Sequence, residues 1–450
     1  MSIGMSERAT IFALSSAAGR AGVAVVRVSG PHAGMVLNVM AGKRSKPREA
    51  AGRRIVHPTT GELIDRGVVI WFPAPRSFTG EDVAELHLHG SVAVVRAVLG
   101  ALAQLPDCRL AEPGEFARRA FDNGKIDLTQ AEGLADLIDA ETDAQRRQAL
   151  RQAQGALSSL YESWRQSLIE AAGLVEASID FTDEADVASD AFAQGRAIVD
   201  DLERGIRRHL EDQHRGEILR SGFQVVLAGP PNVGKSSLLN ALARRDAALV
   251  SEEAGTTRDV IEVRLDLAGL PVIVSDTAGI RETDGSVERE GIRRSVARAS
   301  EANLLIWLTD IHAPEPVLPL ELRTLADRTL LVVNKTDLEL GGGQPVLPDD
   351  MIAISVKTGA GLDVLTERLA AIAVERISPG EAPALTQDRH RRLLEQAVQD
   401  LQVFLAGDPN QTELRAEDLR RAAVAIGRIS GRIDVEDVLD QVFSRFCIGK

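Results

Sequence analysis

The stretch Gly229-Pro230-Pro231-Asn232-Val233-Gly234-Lys235-Ser236 fits G-x-x-x-x-G-K-S, the spacing of a phosphate-binding loop. Its glycines permit a tight turn in which successive backbone N–H groups face one concavity and cradle phosphate oxygens. Lys235 brings positive charge to the β- and γ-phosphates, and the Ser236 hydroxyl is a ligand for Mg²⁺. Val233 and Ser237 belong to the same nucleotide contact. A helix expected over about residues 235–242 adds the positive end of its dipole. The apolar, β-branched run Phe223–Ala228 precedes the loop, giving the order strand, loop, helix.

Three more motifs follow apolar runs in the order such a site needs. Asn334-Lys335-Thr336-Asp337 comes after residues 330–333. The Asp337 carboxylate can accept two hydrogen bonds from guanine, at N1–H and the exocyclic amine, and a wrong base would leave those acceptors unpaired. Asp276-Thr277-Ala278-Gly279 follows residues 272–275, setting a carboxylate near Mg²⁺ and a glycine N–H near the γ-phosphate. Ser355-Val356-Lys357 fits the last base-contacting loop. Gly255-Thr256-Thr257-Arg258-Asp259 lies where a switch loop belongs, with Thr257 as a second Mg²⁺ hydroxyl. These motifs together predict a GTPase domain. Ile280 stands where many small GTPases carry a water-positioning glutamine. Isoleucine cannot orient water, so the catalytic group has to come from elsewhere or the enzyme is slow.

The elements that position these residues come from the rest of the chain. Its 450 residues suggest about three domains. An apolar fraction of 44% and a charged fraction of 26% are those of an ordinary globular chain. No apolar run approaches the ~18 residues of a membrane span, and the short run Ile11–Leu14 after Glu7 and Arg8 is a poor signal peptide. A cytoplasmic protein without membrane attachment is expected. Cys108 and Cys447 form no CxxC, which argues against a disulfide framework or a zinc site. With a net charge of −14, any RNA contact must use a local basic patch or a partner.

Residues 1–120 read as a mixed α/β domain. Ala24–Val28, Val68–Phe72 and the alternating Val83–His89 are strand-like, and Ser91–Gln104 has helical spacing. Arg27, Glu85, His87 and His89 are its polar residues within strands. The two histidines share a strand face but lack a third metal ligand, so a polar face or a small-molecule pocket is the expectation. Residues 121–220 form the first part of a helical domain. Thr129-x-x-Glu132 resembles a capping box, and Leu150, Leu157, Tyr161, Trp164, Leu168 and Val175 form one stripe of a long helix. The GTPase domain is expected over 221–377, inserted into that helical domain, whose second part runs over 378–450. There Leu394, Ala397, Leu401 and Phe404, and later Val435, Val438, Leu439, Val442, Phe443 and Phe446, repeat at helical spacing. A domain whose termini lie close together makes such an insertion topologically cheap. The terminal Cys447-Ile448-Gly449-Lys450 sets a cysteine four from the end, but glycine and lysine fit a prenylation signal poorly.

GPPNVGKS, GTTRD, DTAGIRE and NKTD between helical segments, a mixed N-terminal domain and a terminal CIGK together resemble the MnmE (TrmE) family of tRNA-modification GTPases. The likeness covers essentially the whole chain. The nucleotide motifs are shared with GTPases of the Era and Der type, whereas the CxGK tail and flanking domains are more specific. The resemblance implies an N-terminal domain of folate-binding type that also makes a homodimer. It puts 5-formyl- or methylene-tetrahydrofolate near Arg27, Glu85 and Lys125, with Lys450 of the tail reaching the same pocket and Cys447 a candidate for the modification chemistry. Arg or Lys suits the acidic tail of a folate, and a buried carboxylate suits the amino-pyrimidine edge. The resemblance further implies K⁺ stimulation, with Asn232, Ser251, Glu253 and Thr256 as ligand positions, and Glu288 as the catalytic acid. Its implied partners are tRNA and an FAD-dependent GidA (MnmG) family protein, in a heterotetramer. The implied product is an aminomethyl or carboxymethylaminomethyl group on C5 of a wobble uridine. The chain departs from the family at His89-Gly90-Ser91, where HGG is common. A ribosome-assembly GTPase of the Era or Der type would instead carry an RNA-binding domain such as KH, and the C-terminal helices hold no such motif.

Overall fold

Alternation in Val83–His89 produces strand β5 (Val83–Gly90), which lies inside a six-stranded sheet. Its companions are β1 (Thr10–Leu14), β2 (Ala21–Ser29), β3 (Ala51–Val56), β4 (Leu63–Phe72) and β6 (Cys108–Leu110), in the order β3-β4-β5-β2-β1-β6. Every neighbouring pair is antiparallel except β1 with β6. Phe12, Val26, Val28, Leu86 and Leu88 point to one face, where the helices Ala33–Ala41 and Val92–Leu102 bury Val36, Leu37, Met40, Val98 and Leu102 against them. Period-two alternation sends Ile11 and Ala13 to the other face, against Ala111 and Phe116. Ser91 precedes its helix with φ −84° and ψ 134°, an ordinary backbone, so serine fits without strain where the family often has glycine.

The structure, a computed structural model, describes residues 9–180, 185–245, 247–249, 262–276, 298–313, 318–338, 351–377, 383–433, 436–446 and 449. The chain folds as two compact units. One comprises Met1–Ala135, Gln152–Arg165 and Ala423–Lys450, the other Asp136–Arg151 and Gln166–Ala422.

In the first unit, the apolar positions read near the C-terminus do become core. Leu439, Val442, Phe443 and Phe446 are buried with Ala117, Leu128 and Ala131. The last helix is Glu436–Phe443, so it stops three residues before Phe446, whose N–H bonds the Phe443 carbonyl at 3.1 Å. Val435 lies outside the described residues.

The capping box falls two residues earlier than expected. Thr129 sits inside the helix Leu128–Asp139, and Asp127 is the residue that caps it. The Asp127 carboxylate accepts from the Gln130 N–H at 2.9 Å, and the Gln130 side chain accepts from the Asp127 N–H at 3.0 Å. The single long stripe also divides. Leu150 belongs to a separate helix, Asp143–Ala153, and is 38% exposed. The chain breaks at Gly155, and Leu157, Tyr161, Leu168 and Val175 are buried along Ala156–Asp180. Among the described residues no helix is long and apolar enough to cross a membrane.

The second unit holds another six-stranded sheet, in the order β12-β11-β10-β7-β9-β8. These strands are β7 (Phe223–Ala228), β8 (Glu262–Leu267), β9 (Leu270–Asp276), β10 (Leu304–Asp310), β11 (Thr329–Asn334) and β12 (Met351–Ala353). All pairs are parallel except β8 with β9. Near-continuous apolar runs suit strands covered on both faces, and the helices Lys235–Ala243 and Leu362–Ile377 cover this sheet. The helices Ala185–Leu210 and Asp388–Ala406 pack together, with the Phe192 and Phe404 rings stacked 5.8 Å apart. Where Asp388–Ala406 begins, Arg391 donates to the Leu210 carbonyl, Asp212 and Glu217 at 2.6–2.9 Å.

Candidate functional site

The described parts of the nucleotide motifs, residues 229–236, Asp276, residues 334–337 and residues 355–357, sit at the C-terminal ends of parallel strands of one sheet, the general location of ligand sites in open α/β sheets. Central β7 runs into the loop 229–234, and Lys235 opens the helix Lys235–Ala243. Gly234 has φ +102°, and a Cβ there would lie 2.5 Å from the Asn334 side-chain nitrogen. No residue with a side chain fits that position. Asn232 also takes a left-handed φ of 64°, a conformation asparagine tolerates better than most residues.

The Lys235 ammonium donates to the Gly229 and Pro230 carbonyls, both at 2.9 Å, which fixes it against the loop. Ser236 donates its hydroxyl to Asp276 at 2.7 Å, and Asp276 is buried at the end of β9. A hydroxyl beside a carboxylate is a hard-oxygen pair, the donor chemistry that Mg²⁺ takes. Ser237 is exposed on the first helical turn.

Asn334, buried at the end of β11, joins two motifs. Its amide donates to the Val233 carbonyl at 2.8 Å, and its oxygen accepts from the Val356 N–H at 3.1 Å. The motif 334–337 is thereby tied to the loop 229–234. Asp337 accepts from the Ser355 hydroxyl at 2.7 Å, and Lys357 stands 3.9 Å from its other oxygen. These contacts orient a carboxylate whose edge can meet guanine. Lys335, at φ 66°, donates to Asp310 at 2.5 Å. Burial alone would raise the Asp310 carboxyl, but the Lys335 hydrogen bond and the His312 N–H outweigh it and hold it below its usual range. Asp310 was not singled out in the sequence. Its position at the end of β10, between two motif-bearing strands, was the available signal.

Ser251, Glu253, Thr256, Thr257, Thr277, Ala278, Gly279, Ile280, Glu288, Cys447, Ile448 and Lys450 lie outside the described residues.

In the first unit, Arg27 and Glu85 are register partners on β2 and β5. The Arg27 guanidinium meets Glu85 at 3.0 and 3.1 Å and lies 5.8 Å and 5.9 Å over the Phe78 and Phe116 rings. His87 approaches the second Glu85 oxygen at 3.3 Å. The loop that carries Phe78 is held from beneath by a buried set of residues missed in the sequence. Ser29 donates to Glu81 at 2.7 Å, and Arg119 meets the same carboxylate at 3.1 Å. Lys125 is engaged by the same loop, donating to the Pro75 carbonyl at 3.0 Å, with its stem beside Gly80. Gly449 reaches this domain. The Ser15 hydroxyl donates to the Gly449 carbonyl, and Ser15 lies two residues along from Ala13, the register partner of Arg27. The structure therefore brings Arg27 and Glu85 together on β2 and β5, with Gly449 at the end of the neighbouring β1. The guanidinium and carboxylate are a donor and an acceptor that a flat heterocycle bearing amino groups can meet.

A family model described as the MnmE helical domain matches residues 128–447, and one described as the GTP-binding protein TrmE N-terminus matches residues 10–125. The tRNA modification GTPase MnmE of Parvibaculum lavamentivorans is 53% identical over 446 residues, covering 98% of this chain and 100% of the relative. Its counterpart from a Bradyrhizobium species is 50% identical over 445 residues, covering 98% and 99%. Among solved structures, the FeoB G-domain of Methanococcus jannaschii is 25% identical and covers 34% of this chain and 97% of its own, with a TM-score of 0.27.

Proposed function

The chain belongs to the MnmE family of tRNA-modification GTPases, and on that premise we propose that it couples GTP hydrolysis to alkylation of C5 in a wobble uridine. It is a GTP hydrolase acting in tRNA modification. In our reading it works as a cytoplasmic homodimer with an FAD-dependent protein of the GidA (MnmG) family, in a heterotetramer. A tetrahydrofolate, 5-formyl or methylene, supplies the one-carbon unit of an aminomethyl or carboxymethylaminomethyl group. GTP hydrolysis drives conformational change and is separate from the modification chemistry.

Residues 1–120 are proposed as the folate-binding and dimerisation domain. Residues 221–377 form the GTPase domain, inserted between helical segments 121–220 and 378–450. Arg27, Glu85, Lys125 and Lys450 bind folate, with Cys447 near the one-carbon group. Ser236 and Thr257 hold Mg²⁺. Asn232, Ser251, Glu253 and Thr256 hold K⁺, which supplies positive charge beside the phosphates, and Glu288 orients water in place of the glutamine that Ile280 displaces. Thr277, Ala278 and Gly279 complete the phosphate contacts.

The observation that supports the folate reading is the docking of Gly449 on Ser15, beside the strand that pairs with Arg27. Mass analysis of wobble uridines in cells lacking the gene tests the function. Restoring the gene restores the modified base, and Cys447→Ser restores GTP hydrolysis without it. Unmodified levels that do not change on deletion overturn the proposal.

A further inference from the structure

The chain carries a net charge of −14, yet residues 43–76 hold eight Lys and Arg against three Asp and Glu. This stretch includes β3, the free edge of the first sheet, and its partner β4. Arg54 and Arg66 are register partners across that pair, and both are exposed. Like charges directly opposite one another destabilise a strand pair. Among the described residues no carboxylate pairs with either arginine. The adjacent Asp65 is committed to His89, accepting from its ring at 2.8 Å and its N–H at 2.9 Å. The positive charge is thus left standing towards solvent.

The strip continues towards the other end of β4, where Pro47 bridges Trp71. Arg44 lies 5.6 Å over the Trp71 ring, and Arg48 lies 5.6 Å over Phe72 while donating to the Arg76 carbonyl. Stacked guanidiniums are held in place, so less side-chain entropy is lost when they meet an anion. From Arg66 to Trp71 the strand advances about 17 Å, long enough for several phosphates of one polynucleotide strand. Trp71 is 5% exposed and roofed by Arg44, so this surface offers phosphate contacts rather than an open platform for stacking bases.

We propose that the β3 edge, from Arg54 and Arg66 to Arg48 and Arg76, is the surface on which the phosphate backbone of the tRNA rests. The proposal rests on the reading of this chain as acting on tRNA. Charged edges also keep sheets from pairing with other chains. That purpose is served by either sign of charge, whereas an RNA backbone requires the positive one.

The two explanations separate on charge reversal. Full-length Arg54→Glu/Arg66→Glu is titrated with a transcribed tRNA by fluorescence anisotropy at several KCl concentrations. Affinity is expected to fall on the order of tenfold, and the slope of log K against log salt to shrink by roughly two. Lys43→Glu/Lys46→Glu, outside the strand ladder, should move both quantities the same way. Arg54→Glu alone replaces repulsion with a cross-strand ion pair. It should raise the melting temperature while weakening tRNA binding, a combination that misfolding does not give. Wild-type affinity and slope in the two double variants overturn the proposal. So does a change in oligomeric state or in binding of the FAD protein with tRNA affinity unmoved, since the strip is then a protein interface. A wild-type protein that binds no tRNA even at low salt defeats the underlying tRNA reading instead.

Discussion

The Ser15 hydroxyl donates to the Gly449 carbonyl at 2.8 Å, joining residues 434 positions apart. Gly449 has φ +103°, and a Cβ there would sit 2.1 Å from the Leu14 carbonyl oxygen. Residue 449 can approach the end of β1 this closely only because it is glycine. Gly449→Ala is therefore expected to lift the tail from the first unit. Under the proposed folate assignment, calorimetry with 5-formyltetrahydrofolate should show weaker binding. Wobble modification should fall on the order of a hundredfold, as for a misplaced reacting group, with GTP hydrolysis retained. Normal modification and unchanged folate affinity would remove the tail from that site.

In the proposed G site base choice rests on Asp337, which accepts from the Ser355 hydroxyl at 2.7 Å. Asp337→Asn turns one carboxylate acceptor into a donor that faces the guanine N1–H or amine. Leaving such groups unpaired costs about 1–3 kcal/mol each. GTP affinity should fall at least about tenfold and xanthosine triphosphate should become the preferred nucleotide. Hydrolysis of GTP at the wild-type rate and affinity by Asp337→Asn would refute the assignment.

The parts legible in the sequence were those with local causes. β7 matches its apolar run Phe223–Ala228 to the residue, because β-branched residues end at a glycine loop. Sequence reasoning put the capping box at Thr129 because Thr-x-x-Glu and Asp-x-x-Gln, two residues apart, satisfy the same rule. Only the backbone contacts of Asp127 decide between them. The stripe from Leu150 to Val175 kept helical spacing across a break, since periodicity does not register Gly155 turning the chain. Arg119 with Glu81, and Asn334 with Val233, were invisible for a different reason. Their partners lie 38 and 101 positions away, and only the fold brings them together.

His209 gives the second unit a pH-dependent stability. Burial drives its imidazole down to about 4 from the ordinary 6.5; nearby Asp212 opposes this, and Arg391 and His390 reinforce it. Between those values the unfolded chain binds a proton that the folded one refuses. The contribution is therefore full above pH 6.5 and is lost as pH falls through the window towards 4. The whole window is worth on the order of 3 kcal/mol. Urea denaturation of wild type and His209→Gln from pH 7 to pH 4 should diverge, with the variant losing less stability on acidification. Parallel curves would assign the acid sensitivity to carboxylates alone.

Catalysis in the proposed G site has to replace the missing glutamine and supply positive charge to the transition state. In the proposed potassium site, a cation at Asn232 and its neighbours would do what an arginine finger does elsewhere, an effect worth about 10³–10⁵ in rate. Hydrolysis in KCl should then exceed that in NaCl at equal ionic strength by a large factor, with GTP affinity little changed. Glu288→Ala should lower kcat and leave nucleotide affinity near wild type, because a group that orients water acts on the transition state more than on the bound substrate. The two perturbations divide the mechanism cleanly. Equal rates in the two salts would eliminate the cation, and a fully active Glu288→Ala would eliminate the carboxylate while leaving the potassium effect to stand by itself.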